Sequence, residues 1–432
     1  MKLERLKKNN LARNMVIVLL VVAIISAIIL TFTKAKYKTT ESIPLVNGTI
    51  NYELSDLNLI GVYIEDGSSY SKTDQIPDSG YTLNAEKSYC KIGEEKQDTT
   101  ITYDMNTKTL NIAPMTTKGT KCYLYFDEQK TLLADAIKRD NQIKSETPNF
   151  SQAATTNEGV YKTEDDWGDS YYFRGAVTNN WVSFAGFYWR IIRINGDGSI
   201  RMIYNGTSTA TTGTTTMINN GASQAFNSSY DRSEYVGYMY TSGQQHGNTT
   251  DSPIKDVVDS WYSSNLANYS DKISKEAGFC GDRNMASGSS WSSTPSSTIY
   301  YAARERLYTN KTPTLKCSNS ADLYTVSGSS KGNKALTNPV GLITADEVAM
   351  AGGVYGQTNQ SYYLYNNQYY WTMSPFNFNA TSGFAYVFYV YSNGYLHYDS
   401  VNNAWGVRPV INLAHDVVIK SGNGSSSTPY EI

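Results

Sequence analysis

The stretch GYLHYDSVNNAWGVRPVINL, residues 394–413, combines two patterns that require different environments. Residues 407–413 place an apolar side chain at every second position, which predicts a strand with one buried face. Residues 395–403 instead carry large polar side chains where a packed domain needs only a turn. We therefore predict a scaffold strand next to a displayed polar surface, with drift in composition as the alternative.

The predicted strand contains one charged side chain, Arg408. A buried guanidinium requires partners, so we expect a structural role for Arg408, with Asp346 or Glu347 as its partner. Trp371 and Trp405 each adjoin a small residue in a strand-like context. We interpret both as core or rim aromatics rather than as platforms for a ligand.

The displayed surface is expected to extend beyond this stretch, because from Val348 through Val407 the only formally charged residue is Asp399. Tyr and Asn are abundant there, and they provide amphipathic contact area and adaptable hydrogen bonds at low entropic cost. The residues predicted to bind a ligand are Tyr362, Tyr363, Tyr365, Tyr369, Asn377, Asn379, Tyr395, His397, Tyr398, Asp399, Asn402 and Asn403.

Length and charge limit the classes of function. A chain of 432 residues with 40% hydrophobic residues can form the cores of two or three domains. The 37 Lys and Arg residues nearly balance the 39 Asp and Glu residues, which gives a net charge of -2. No overall field favours nucleic acid, and nucleic acid is excluded as a partner.

The N-terminus has a basic segment followed by an uncharged run over residues 14–33. A spanning helix needs about 20 apolar residues, whereas the apolar part of a signal peptide usually has about 7–15. We predict a basic cytoplasmic tail at residues 1–14 and a transmembrane helix at 15–33, with the remainder outside the cell. The alternative is a cleaved signal peptide, for which Thr33 and Ala35 form a poor cleavage site.

The chain has four cysteines, which in an exported protein indicate disulfides. Of the three connectivities, Cys90 with Cys122 and Cys280 with Cys317 keeps each bridge within one predicted domain. A metal site is less favoured, because no CxxC is present and the three histidines are scattered.

The order of patterns predicts the domains. Residues 41–128 contain short strands separated by turns, which is typical of a small all-β sandwich, and residues 129–160 form a helical linker. Residues 161–432 have strands at both ends and helices between them. Within them we predict a hairpin turn at 195–198, a helix at 345–351 capped by Thr344 and Glu347, and a turn at 392–394. The predicted fold class is α+β.

Several motifs in residues 161–432 carry a resemblance to a known family. They are 172–175, 189–191, Asp259, Trp261, Tyr262, Phe279, Cys280, Asp282, Arg283, 339–343, Asp346, Glu347, Trp371, Ser374, Pro375 and 406–409. Together they resemble the C-type lectin-like fold, in the branch of formylglycine-generating-enzyme-like domains and uncharacterised bacterial surface proteins. The resemblance implies that the C-terminal half is a display platform.

In some relatives of that branch, retroelements that mutate adenines diversify this platform. Mutated Asn codons yield Tyr, His, Asp and Ser, which are the residue types found at 395–403. An AT-rich genome would produce the same composition and is the favoured explanation, with diversification as the alternative.

The resemblance also raises an enzymatic alternative, because formylglycine-generating relatives are oxidases that bind copper with a pair of nearby cysteines. Residues 385–410 contain no Cys, so oxidase activity is the least favoured hypothesis. A Ca²⁺ site could use Glu164, Asp165, Asp166 and Asp169, although such a run is more often simply solvated. We predict no cofactor.

These observations predict a membrane-anchored, adhesin-like binding protein of the bacterial cell surface, single-pass with its N-terminus in the cytoplasm. Its expected partners are a protein or glycan ligand outside the cell, and the lipid bilayer through the N-terminal helix. The alternatives are a structural cell-envelope protein without a specific ligand and, third, an oxidase.

Overall fold

The computed structural model describes residue 21 and residues 58–77, 79–114 and 119–432. The chain divides into two compact units, residues 1–129 and 130–432. The strands of the first unit are β1 (Asn58–Asp66), β2 (Ser69–Thr73), β3 (Tyr81–Leu83), β4 (Tyr89–Ile92), β5 (Glu95–Lys96), β6 (Thr100–Asp104), β7 (Thr109–Ala113) and β8 (Lys121–Glu128).

The first unit is a sheet accompanied by a hairpin. Five strands follow the order β2-β1-β8-β4-β5, β3 also pairs with β8, and β6 and β7 form the hairpin. Strand β1 lies parallel to β8. Alternate residues of β8 point inward, as shown by its buried Cys122, Leu124 and Phe126. Ile101 and Leu110 of the hairpin belong to the same core, so sheet and hairpin enclose one apolar interior.

The second unit contains the remaining elements. Its strands are β9 (Thr131–Leu132), β10 (Ile143–Lys144), β11 (Asn157–Asp165), β12 (Gly168–Gly175), β13 (Trp181–Phe184), β14 (Phe187–Ile194), β15 (Ile200–Tyr204), β16 (Gln224–Ala225), β17 (Met239–Tyr240), β18 (Thr250–Asp251), β19 (Phe279–Cys280), β20 (Ile299–Tyr300), β21 (Leu323–Tyr324), β22 (Tyr370–Asn379), β23 (Phe384–Val390), β24 (Leu396–Ser400), β25 (Ala404–Trp405), β26 (Val410–Leu413), β27 (Val418–Ile419) and β28 (Tyr430–Glu431).

Its helices are fewer and short. They are α1 (Leu133–Asp140), α2 (Pro253–Asn265), α3 (Ala302–Arg304), which continues as a π-helical turn (Glu305–Asn310), and α4 (Ala345–Ala351). Short 3₁₀ turns occur at Thr214–Thr216, Ile218–Gly221, Ser233–Val236, Ala267–Tyr269 and Ser320–Asp322.

Two sheets organise the second unit. The larger has eight strands, with the path β10-β11-β12-β14-β13-β28 and with β15 joining β14 to β26. The smaller has four strands in the order β20-β22-β23-β24. One hydrophobic core includes residues of both, for example Trp189 of β14 and Trp371 of β22. Residues 130–160, which include α1, belong to this unit, and Leu133, Ala136 and Ile137 lie in that core.

Several local predictions are confirmed. Thr344 and Glu347 form the capping box that begins α4. The turn at 195–198 joins β14 to β15 as a hairpin. Ser252 precedes α2, and its hydroxyl donates to the carbonyl of Tyr238. Residues 181–194 form two strands, β13 and β14, because the chain turns at Ala185 and Gly186 with φ of 54° and 79°.

The predicted fold class was wrong. The chain is mostly strands with about 15% helix, so the α+β class with a helical contribution between the strands overstated the helices. The polar segments of residues 207–340 form 3₁₀ turns, loops and two-residue strands more than helices, since most lack a sustained apolar face. Among the described residues, no helix combines the length and apolar character needed to cross a membrane. Apart from residue 21, the spanning helix predicted at 15–33 lies outside the described residues.

Both predicted disulfides are confirmed. Cys90 of β4 is joined to Cys122, its cross-strand partner in β8, and Cys280 is joined to Cys317. The second bridge closes a loop between residues separated by 37 positions. Each bridge therefore lies within one of the two units.

Replacing Cys280 and Cys317 together by Ser should lower the free energy of unfolding by about 3–4 kcal/mol, because the unfolded chain regains the entropy of an open loop. Denaturant unfolding of the purified protein measures this difference. The Cys90 and Cys122 pair, which lies in the other unit, is unchanged in that variant. An unchanged denaturation midpoint would contradict the prediction.

Candidate functional site

The four-stranded sheet carries the region that the sequence analysis singled out. Strand β24 is its edge and pairs with β23 through His397 opposite Tyr389 and Tyr398 opposite Phe388. The turn between these strands has Gly394 at φ +85°, where any side chain would collide with the backbone of Asn359. The predicted turn at 392–394 is thus confirmed, and it requires glycine.

Seven rings form a series of contacts at this edge that curves around the buried ring of Tyr389, and we name this series the aromatic row. Its members in spatial order are Tyr308, Tyr355, His397, Tyr395, Tyr391, Tyr369 and Trp405. Successive ring centroids are 4.8, 5.5, 5.5, 4.8, 4.6 and 4.6 Å apart. Tyr308 is exposed and the other six are half-buried, so each ring retains contact with solvent.

Buried rings hold the row in place. Tyr389 is 4% exposed, and its centroid lies 5.7 Å from that of Trp405 and 6.0 Å from that of His397. Phe376 stacks on Tyr398 at 3.8 Å and lies parallel to Tyr355 at 6.1 Å. Because the rings already contact one another, binding a ligand would cost little further side-chain entropy.

Asp399 orders the end of the row. Its carboxylate accepts hydrogen bonds from Nε1 of Trp405 at 2.9 Å, Nδ2 of Asn403 at 2.8 Å and the backbone N–H of Ser400 at 2.8 Å. The carboxylate therefore fixes the turn that follows β24 and orients the indole. Asn402 and Asn403 are exposed beside it.

Two tyrosines of the row, Tyr355 and Tyr395, present neutral hydroxyl groups. Burial raises the pKa of Tyr355 to about 12, and burial also raises the pKa of Tyr395. Both phenols remain protonated near neutral pH and can donate as well as accept hydrogen bonds.

The structure separates the predicted ligand-binding residues into two groups. Asn402 and Asn403 are exposed, and the half-buried members are Tyr365, Tyr369, Asn379, Tyr395, His397, Tyr398 and Asp399. Tyr362, Tyr363 and Asn377 are instead buried, at 2%, 5% and 6% exposure. These three residues are therefore not available to a ligand as predicted. Packing is the reason: the ring of Tyr363, for example, lies 5.4 Å from the buried guanidinium of Arg190.

Four members of the row were missed as ligand-binding residues. Tyr308 is distant in sequence from the Tyr-rich residues 348–407, whereas Tyr355 lies within them; the fold brings both beside β24. The sequence signal that could have identified Tyr391 is its position directly after the buried strand β23. Trp405 was expected to be a core or rim aromatic, and its half-buried position agrees with the rim.

The predicted partner of Arg408 was wrong. The buried guanidinium donates to the carbonyls of Tyr204 at 3.1 Å and Leu364 at 3.0 Å, and to Oδ1 of Asn205 at 3.1 Å. Asp346 and Glu347 are engaged by other arginines. Neutral oxygens therefore satisfy Arg408, and its role at the base of the sheet is structural.

The four carboxylates considered for Ca²⁺ do not converge. Each has a separate partner: Glu164 pairs with Lys316 at 2.6 Å, Asp165 with Arg193 at 2.8 Å, Asp169 with Lys162 at 2.6 Å, and Asp166 accepts from the N–H of Cys317 at 3.0 Å. Within residues 58–77, 79–114 and 119–432, no group of three or more His, Cys, Asp or Glu side chains is arranged to hold a metal ion.

A small cavity near Arg193, Arg201 and Arg306 has a volume of about 20 Å³. That volume suits about one water molecule and no larger ligand. The aromatic row is an open surface, and we take it as the candidate ligand site.

Comparison with family models, with curated proteins and with solved structures finds no match to this chain.

Proposed function

We propose that this chain is an extracellular binding protein whose ligand contacts the aromatic row. The observation that carries the proposal is the row itself: seven contacting rings that keep contact with solvent. Single exposed aromatics are common on proteins, but a contiguous set is typical of an interaction surface. Tyr and Trp are also the residues that most often dominate binding energy.

Two further observations support a location outside the cell and a role in binding. All four cysteines are joined in disulfides, which persist in oxidising compartments. In the bonded state, Cys280 and Cys317 have no free thiolate for the copper chemistry of the oxidase alternative. The resemblance of residues 161–432 to C-type lectin-like domains remains a prediction, and it implies the same use of the C-terminal part.

A structural envelope protein without a ligand is the second candidate. The rings of the row contact one another and buried neighbours, so they could serve packing alone. Binding of the purified chain to an array of glycans and to the surfaces of neighbouring cells separates the two hypotheses. A specific signal on either supports the proposal, and none on both supports the structural role.

A triple substitution, Tyr395→Ser with Asn402→Ser and Asn403→Ser, should weaken binding to a ligand found in that screen by about fivefold or more. A tyrosine anchor commonly contributes more than about 1 kcal/mol to an interface. Asn402 and Asn403 are exposed, where substitutions usually stay within about 0.5 kcal/mol each, so any larger fall in melting temperature should come from the ring contacts that half-buried Tyr395 loses with Tyr391 and His397. His397 and Tyr398 are kept, since Tyr398 packs against buried Phe376.

The matched control replaces one tyrosine and two asparagines elsewhere, by Tyr269→Ser with Asn106→Ser and Asn111→Ser. Tyr269 is 40% exposed and contacts Phe184 of the larger sheet. Equal loss of binding in both variants, or loss of folding in the first, would contradict a ligand site on the row.

A further inference from the structure

Arg304 stands at the Tyr308 end of the aromatic row. Its guanidinium carbon lies 4.1 Å from the ring centroid of Tyr300 and 4.7 Å from that of Tyr308. The three residues are spaced four apart in the sequence. Two cation–π contacts hold a planar cation in a defined position, which reduces the entropy lost when it binds an anion.

This cation has no anionic partner among the described residues. Nε of Arg304 is buried and has no hydrogen-bond acceptor within that part of the chain. The acids nearby are engaged elsewhere: the carboxylate of Glu305 accepts from the N–H of Ser287, and Asp282 and Asp346 pair with Arg306. A buried donor without an acceptor is costly, and the terminal N–H groups, which are not buried, are the donors that an incoming anion can reach.

The surroundings of Arg304 strengthen the case for an anion. Lys311 places a second cation 5.9 Å from the ring of Tyr308, while its Nζ donates to the carbonyl of Leu307. Arg304 and Lys311 flank a π-helical turn, Glu305–Asn310, a rare geometry that often marks functional sites. Burial raises the pKa of Tyr398, and Arg304 opposes that rise, so its charge acts on the neighbouring sheet.

We propose that Arg304 binds the carboxylate or sulfate of an acidic polysaccharide whose sugar rings lie along the aromatic row, an inference that rests on the proposed function. The two terminal nitrogens of a guanidinium each donate an N–H that can match one oxygen of either anion. The half-buried rings of the row combine apolar surface with hydroxyl groups, which suits the C–H groups and hydroxyls of sugars. An acidic peptide would pair with Arg304, but it has no succession of sugar rings to contact the aromatic row.

The test measures binding of the purified full chain to four immobilised probes: polygalacturonate, dextran sulfate, neutral dextran and poly-L-glutamate. Polygalacturonate and dextran sulfate distinguish the carboxylate source from the sulfate source. We expect one of these two to bind more tightly than neutral dextran and poly-L-glutamate. Arg304→Gln should weaken that binding about 10- to 100-fold, which corresponds to the loss of a charge-assisted pair.

Arg304→Lys keeps the positive charge but lacks the planar guanidinium, so it should give an intermediate affinity. If the Gln variant does not fold, the Lys variant provides the test in its place. The matched control Arg139→Gln changes an arginine that is 57% exposed and paired with Asp140, and it should bind as the unmodified chain does. Rising salt should weaken binding of the unmodified chain more than binding of Arg304→Gln.

Four results would overturn the inference. They are equal binding of neutral dextran, equal binding of poly-L-glutamate, no effect of Arg304→Gln, and no binding of any probe. A neutral or peptide ligand that still depends on Tyr395, Asn402 and Asn403 would leave the proposed function intact. If the chain has no binding function, the array of glycans and the surfaces of neighbouring cells should both give no signal.

Discussion

Replacing Glu347 by Ala should lower the free energy of unfolding by about 3–5 kcal/mol, because two buried arginines lose their shared partner. The Glu347 carboxylate is 2% exposed and lies 3.2 Å from Nε of Arg193 and 3.2 Å from Nη2 of Arg201. It also accepts the backbone N–H of Thr344 at 2.9 Å, so the substitution removes half of the capping box of α4.

The same carboxylate makes stability depend on pH. Burial acts to raise the pKa of Glu347, but Arg201 and Arg193 outweigh it and hold the pKa below its ordinary value. A group whose pKa is lowered on folding stabilises the protein above its unfolded pKa, about 4.3 for glutamate, and the contribution is lost as pH falls through the folded value. The unmodified chain should therefore lose more stability between neutral and acid pH than Glu347→Ala.

Denaturant unfolding at pH 7 and at pH 3 measures both effects. Glu164→Ala is the control, because Glu164 is 62% exposed in its pair with Lys316 and exposed pairs contribute little. If Glu347→Ala unfolded at the same denaturant concentration as the unmodified chain, the buried cluster would not be a source of stability.

Replacing Arg408 by Ala should cost a similar amount, about 3–5 kcal/mol, through lost hydrogen bonds and a new cavity. Three oxygens, on Tyr204, Leu364 and Asn205, lose their donor. The ring of Tyr370, 5.0 Å from the guanidinium carbon, loses a packing partner.

Arg408→Met separates these two causes, because it retains most of the side-chain volume and removes the donors. Met should recover part of the stability lost in the Ala variant, and the remaining deficit measures the hydrogen bonds. Thermal melting and denaturant unfolding give the values, with Arg139→Ala as an exposed control. A Met variant as stable as the unmodified chain would show that packing alone matters at this site.

The tertiary structure also changes what can be expected of the Tyr-rich stretch. Substituting five side chains together would have little effect on stability if all five were fully exposed. The five are Tyr395, His397, Tyr398, Asn402 and Asn403. Tyr398 instead stacks on Phe376, and His397 contacts buried Tyr389. Because β24 is an edge strand whose neighbours are aromatic, even its surface-facing side chains share contacts with the core.

The sequence by itself determined the features that depend on a few neighbouring residues. The capping box of α4 follows from Thr344 and Glu347 three positions apart, and the turn before β24 follows from a glycine that tolerates positive φ. The two disulfides join cysteines 32 and 37 positions apart, and they were predicted by a different route, from the assignment of each pair to one domain. Such features are decided by local geometry and covalent chemistry.

Only the tertiary structure decided which side chains meet across long separations. Tyr308 and Tyr355 reach the edge of β24 through packing, Tyr362 and Tyr363 turn inward, and Arg408 finds carbonyl groups in place of a carboxylate. A tyrosine suits an interior and a surface almost equally well, because its ring is apolar and its hydroxyl is polar. Its position in the sequence therefore leaves its burial undecided until the surrounding strands are in place.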